Sequence, residues 1–220
     1  ARLAALASMA AAAAAPPGRP ALATKPSGES DQGWLEMAAL VFYFASVLAA
    51  KCVFPIALGS LMRSEPELVP KLVAALPMCI VCGKLALGAL TDRRAVAFIA
   101  FHLLAMGLLV LGAGLSASFA SCAACWLLID LLFGGGYGAC VSVVRASWTR
   151  AQWPPRLGLV GAATRLGTMS AFWAMGALSA RGWEVSDLHR AAALLLFAAL
   201  GCWLAVAPRI KARQRAADAA

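Results

Sequence analysis

Three ionisable side chains stand inside long apolar runs, where a charge is costly. Lys51 lies near the middle of the run Met37–Leu61, Asp130 is eight residues into Cys122–Val144, and Arg165 is eight residues into Leu157–Ala180. A lysine, arginine or aspartate at the centre of a lipid bilayer costs about 2.5–3.5 kcal/mol on insertion scales, so such groups face a partner or a water-filled cavity. Two chemistries are then open. Lys51 and Asp130 can neutralise each other as a structural pair, or Lys51 can meet an anionic ligand while Asp130 carries a proton. Two cations (Lys51, Arg165) against one carboxylate leave one net positive charge in this interior set, which favours an anion. Lys84 and Arg145 lie near the ends of their runs, where long stems reach the headgroups, and His102 reads as a packed helix residue.

Covalent and metal chemistry find less support. Nucleophilic catalysis needs a nucleophile beside a base, yet the chain has neither Gly-x-Ser-x-Gly nor His-Glu-x-x-His, and its only histidines, His102 and His189, have no motif around them. No enzyme is expected. Cys79-x-x-Cys82 and Cys122-x-x-Cys125 have the spacing of zinc half-sites, but 39 residues separate them, against about 12–20 in compact zinc modules. On a helix, a spacing of three places two small residues on one packing face. Neither metal nor cofactor is expected. The run Gly134-Gly135-Gly136-Tyr137-Gly138 follows no strand and has no acidic partner at the right distance, so it is not a nucleotide loop; it suits close helix packing in lipid.

The elements that carry these residues follow from composition. Hydrophobic residues make up 62% of the 220 and charged residues 13%, with a mean hydropathy of +0.80. Soluble domains average roughly 45–50% apolar and about 25% charged, so this chain belongs in a membrane. The net charge of +9 does not indicate nucleic acid, because the basic residues sit between apolar runs rather than on one face. Six runs reach the roughly 20 residues of a spanning helix: Met37–Leu61, Leu68–Leu90, Ala95–Leu115, Cys122–Val144, Leu157–Ala180 and Leu188–Ala207. Barrel strands would be shorter and would alternate. The expected fold is an all-α, polytopic six-helix bundle over residues 34–208, after an Ala/Pro-rich leader over 1–33 and before a basic cytoplasmic loop or tail over 209–220. The leader holds no acid before Glu29, as an organelle transit peptide or an unstructured segment would. It opens on Ala1 rather than methionine, as a processed chain or a piece of a longer one does.

Orientation follows from lysine and arginine. Arg2, Arg19, Lys25, Arg93, Arg94, Arg150, Arg156, Arg209, Lys211, Arg213 and Arg215 fall on one side, and Arg63, Lys71, Arg181 and Arg190 on the other. By the positive-inside rule both termini are cytosolic.

The junction after the second run reads Gly83-Lys84-Leu85-Ala86-Leu87-Gly88-Ala89-Leu90-Thr91-Asp92-Arg93-Arg94. Gly88, Leu90, Asp92 and Arg93 resemble, in spacing and position, the signature loop of the major facilitator superfamily; Ala95, Val96 and Ala97 stand where that family has glycine and a basic pair. Asp130-x-x-x-Gly134-x-Gly136 is similar to the family's fourth-helix pattern, with Asp130 in place of the usual arginine, and Trp148–Gly158 resembles its loop into the fifth helix. Tyr43-Phe44, Lys51 and Phe54-Pro55 are similar to the organophosphate:phosphate antiporter branch. The resemblance implies a secondary active transporter that moves a small anionic organic solute by alternating access. It also implies that Lys51, Asp130 and Arg165 bind substrate, that Gly88, Asp92 and Arg93 form a gating loop, and that a missing carboxy-terminal six-helix half is the partner. A non-transporting assembly subunit and a membrane-embedded enzyme are the other readings.

Overall fold

The computed structural model describes residues 33–218; apart from Gly33, the expected leader lies outside the described residues. Among the described residues six α-helices follow one another: α1 (Trp34–Lys51), α2 (Val53–Ser64), α3 (Val69–Leu115), α4 (Phe119–Ser147), α5 (Trp153–Ala180) and α6 (Val185–Asp218), with a 3-10 turn at Arg150–Gln152. No strand occurs among the described residues. Hydrocarbon offers the backbone no partners, so an apolar chain satisfies its own N–H and C=O groups as helix. The helix boundaries have local causes. Prolines open α3 and α5 at their first turns, where a missing N–H is harmless. The Ser118 hydroxyl accepts the Ser121 N–H at 3.2 Å to cap α4, and Gly182 takes a φ of +85° in the turn that ends α5, a conformation open to glycine.

Among the described residues, four segments are long and apolar enough to cross a bilayer: Trp34–Ser64, Val69–Leu115, Phe119–Ser147 and Val185–Ala216. They mark a membrane-embedded all-α protein. The expected runs map onto this set unevenly. Met37–Leu61 is the Trp34–Ser64 segment, interrupted at Cys52. Leu68–Leu90 and Ala95–Leu115 lie within the single 47-residue α3. Leu157–Ala180 is helical as α5 but is not one of the four, because Thr164, Arg165, Thr168 and Ser170 interrupt its apolar character.

A straight 47-residue helix would measure about 70 Å, more than twice a hydrocarbon core of about 30 Å. α3 is not straight. At Arg94 the backbone leaves the helical region, with φ −137° and ψ 40°. A Cβ placed on Gly135 of α4 would lie 3.1 Å from the Leu87 Cβ and 2.8 Å from the Phe98 ring. Those two residues would be about 16 Å apart along a straight helix, so α3 turns back at Arg94 and both of its arms flank α4.

Packing rests on small residues at these contacts. A Cβ on Gly134 would strike the backbone of α3 at Ile80, at Lys84 N (2.7 Å) and at Gly83 C (2.9 Å). α1 packs on α5 and α6, and α3 packs on α4 and α6. The shared core holds Tyr43, Trp126, Trp203, Ile99 and Leu103, each at most 1% exposed. α6 runs on through Pro208 to Asp218, so the basic segment expected as a cytoplasmic loop or tail from 209 is helical through 218. Ile210 is fully buried there.

Candidate functional site

Pro55 determines the setting of Lys51. A proline has no N–H to donate to the carbonyl four residues earlier, and its ring crowds that carbonyl; here the deprived carbonyl belongs to Lys51. The helix breaks at this point, and Cys52 N–H is shared between Leu48 O (3.2 Å) and Ala49 O (3.1 Å). The Lys51 side chain crosses to α4, where its ammonium forms an ion pair with Asp130 Oδ1. It also lies 4.1 Å from the centroid of the Phe133 ring. Asp130 and Phe133 stand three residues apart on one face of α4, and Phe44 of α1 stacks on Phe133 at 6.4 Å and 11°. The ammonium thus has both a carboxylate and an aromatic face to offset its lost water. The Asp130 side chain is 5% exposed and that of Lys51 is 22% exposed. Lys51 is the partner still open to an approaching ligand.

Of the three residues assigned to an interior set, the structure brings Lys51 and Asp130 together. Arg165 is exposed on α5 and makes no ion pair with any described residue. With Lys51 and Asp130 neutralising each other, the net positive charge of the set is on Arg165.

The signature-loop residues lie at the turn of α3. Gly88 O accepts the Thr91 hydroxyl at 2.7 Å, and Asp92 Oδ1 accepts the Ser142 hydroxyl of α4 at 2.9 Å. Arg93 is exposed. Asp92, Arg93, Arg94 and Ser142 line a cleft of about 350 Å³ whose far wall is Lys211 and Gln214 of α6.

Two clusters bring together residues that the sequence did not connect. Beside the ion pair, Tyr43 Oη is 2.6 Å from His102 Nδ1 and 3.5 Å from Gly136 O, all buried. His102, read as a packed helix residue, is fully buried and joins α3 to α1 through this bond. The signal was the glycine run: at Gly136 a Cβ would lie 3.1 Å from His102 and 3.2 Å from the Tyr43 oxygen, so those glycines admit aromatic groups from two other helices. The second cluster joins four helix ends. Arg213 of α6 approaches Glu36 of α1 at 3.4 Å, and Arg156 of α5 lies 4.5 Å from the Trp148 ring. Burial, and then the charge of Arg213, push the Arg156 guanidinium below its ordinary pKa, while Glu36 opposes them.

Among the described residues, no three His, Cys, Asp or Glu side chains are grouped to hold a metal ion. Lys51 is thus a partly exposed ammonium held between a buried carboxylate and an aromatic face. No family model matches the chain, and no curated protein and no solved structure matches it.

Proposed function

We propose that this chain is a six-helix half of a secondary active transporter of the major-facilitator type, moving a small anionic organic solute by alternating access. The observation that carries the reading is the Lys51–Asp130 pair between α1 and α4. A partly exposed ammonium held by a buried carboxylate is an exchangeable contact. An entering anion competes with Asp130 for Lys51, and the displaced carboxylate is left to take a proton or to re-pair when the solute leaves.

Support for six crossings comes from the turn at Arg94, which divides α3 into two arms, and from α5, which is 28 residues long. The pattern of neighbours is also regular. The first segment packs on α5 and α6, and α4 packs on the two arms of α3, as expected of two inverted three-helix repeats. An even number of crossings puts both ends on one face, the one rich in lysine and arginine. Arg165 and Ser170, exposed on α5, are costly against lipid and suit a face covered by a second six-helix unit.

Uptake by proteoliposomes tests the proposal. A panel of small organic anions should include at least one taken up saturably and faster than by empty liposomes. A protein that assembles stably with others and moves none of them would favour the assembly-subunit reading.

A further inference from the structure

The cleft at the turn of α3 joins a cationic lining to an exposed apolar border, beyond what a gating loop requires. Its charged lining is Arg93, Arg94 and Lys211 against Asp92, three positive charges less one, or two net. Asp92 is engaged by Ser142, whereas none of the three cations pairs with a described residue. The far wall is firmly held: Ile210 is fully buried, Gln214 Nε2 reaches Ser147 Oγ at 3.4 Å, and Arg213 reaches Glu36 at 3.4 Å. The volume of about 350 Å³ is within the range of small-ligand sites, about 300–1,000 Å³.

Directly along α3 from the cleft, Ala97, Phe101, Leu104 and Leu108 are all exposed. Their spacing of four, three and four residues puts them on one helix face. A cationic cleft therefore caps an exposed apolar stripe. α6, with 34 residues, is about 51 Å long, so its last turns extend past a hydrocarbon core of about 30 Å and place Lys211 at headgroup level.

We propose that this cleft binds the phosphate of an anionic glycerophospholipid, with Arg93, Arg94 and Lys211 around the headgroup and an acyl chain along the Ala97–Leu108 stripe. Guanidinium groups match phosphate oxygens in pairs, and Lys211 adds a point charge. The lipid bridges α3 and α6, and so favours whichever conformation keeps those two elements together. This rests on the cleft lying at the membrane surface, as the transporter reading places it.

Native mass spectrometry of the detergent-solubilised protein, with equal amounts of phosphatidylglycerol and phosphatidylcholine, provides the test. The wild-type protein should retain phosphatidylglycerol preferentially. Arg94→Gln/Lys211→Gln should bind it about thirtyfold more weakly, and Lys211→Gln alone about fivefold. Lys211 is exposed, so the single variant tests the site even if the double variant folds poorly. Equal retention of the two lipids, or unchanged binding in Lys211→Gln, would overturn the proposal. Displacement of the lipid by millimolar inorganic phosphate would assign the cleft to a soluble anion instead and overturn the lipid assignment. Retention is read without substrate, so a negative result here leaves the transporter reading standing, and failed flux leaves this one standing.

Discussion

The Lys51 ammonium meets the Asp130 carboxylate across the α1–α4 contact, with the Phe133 ring beneath it at 4.1 Å. Removing one member of a buried pair strands the other, which costs about 3–5 kcal/mol when both are fully buried. The Lys51 side chain keeps 22% of its exposure, so Lys51→Met should lose on the order of 2 kcal/mol. Lys51→Met/Asp130→Asn should recover most of that loss, because neither charge remains. Thermal unfolding in detergent across the double-mutant cycle measures the coupling. Additive losses would mean that the pair contributes nothing.

Tyr43→Phe should destabilise the protein by about 1–3 kcal/mol, because the buried His102 loses its 2.6 Å partner. Tyr43→Phe/His102→Phe should be closer to wild type, since no polar group is then left unpaired. Unfolding temperatures of the single and double variants distinguish a polar effect from a packing effect. A double variant worse than the sum of the singles would assign the cost to ring volume.

The glycines divide by what surrounds them. Gly134→Ala should cost about 1–3 kcal/mol, as overpacking does, because its Cβ would press on the backbone of α3 at 2.7 Å. Gly161→Ala, with nothing within 4 Å of its Cβ, should be neutral or stabilising by about 1 kcal/mol through helix propensity. The ranking is read from thermal unfolding of the two variants. Equal effects would contradict the close approach of α3 and α4.

Arg213→Leu should destabilise the bundle by about 1–3 kcal/mol, since it leaves Glu36, 7% exposed, without its cation. Glu36→Gln in the same background should restore most of the loss. The same unfolding assay applies, and no rescue would mean that Arg213 acts through the Trp148 ring, whose centroid lies 5.7 Å from its guanidinium carbon.

Much of the helical framework was legible because lipid leaves few alternatives, so long apolar runs become helices. Lys51 and Asp130 stood out as charges in the wrong medium, and their pairing was one of the two readings open to them. The junction expected at Thr91-Asp92-Arg93-Arg94 is a sharp turn between two helical arms of α3, where the Arg94 backbone leaves the helical region. The basic loop or tail expected from 209 is a continuation of α6 through Asp218. It continues because alanine, arginine, lysine and glutamine are good helix formers, and because Ile210 and Arg213 dock on other helices. The bond from Tyr43 to His102 spans 59 residues, and no local pattern encodes a contact of that range.

Anion uptake into proteoliposomes by wild type, Lys51→Arg and Lys51→Met/Asp130→Asn tests the transporter reading most directly. The double variant keeps the site neutral, so lost transport in it cannot be assigned to an unpaired buried charge. For the transported anion it should show a KM raised at least about thirtyfold, or no saturable uptake. Lys51→Arg should keep part of the activity, because the charge persists while its geometry changes. Uptake of every transported anion at the wild-type rate and KM by Lys51→Met/Asp130→Asn would place Lys51 outside the substrate path and contradict the proposed function of this pair.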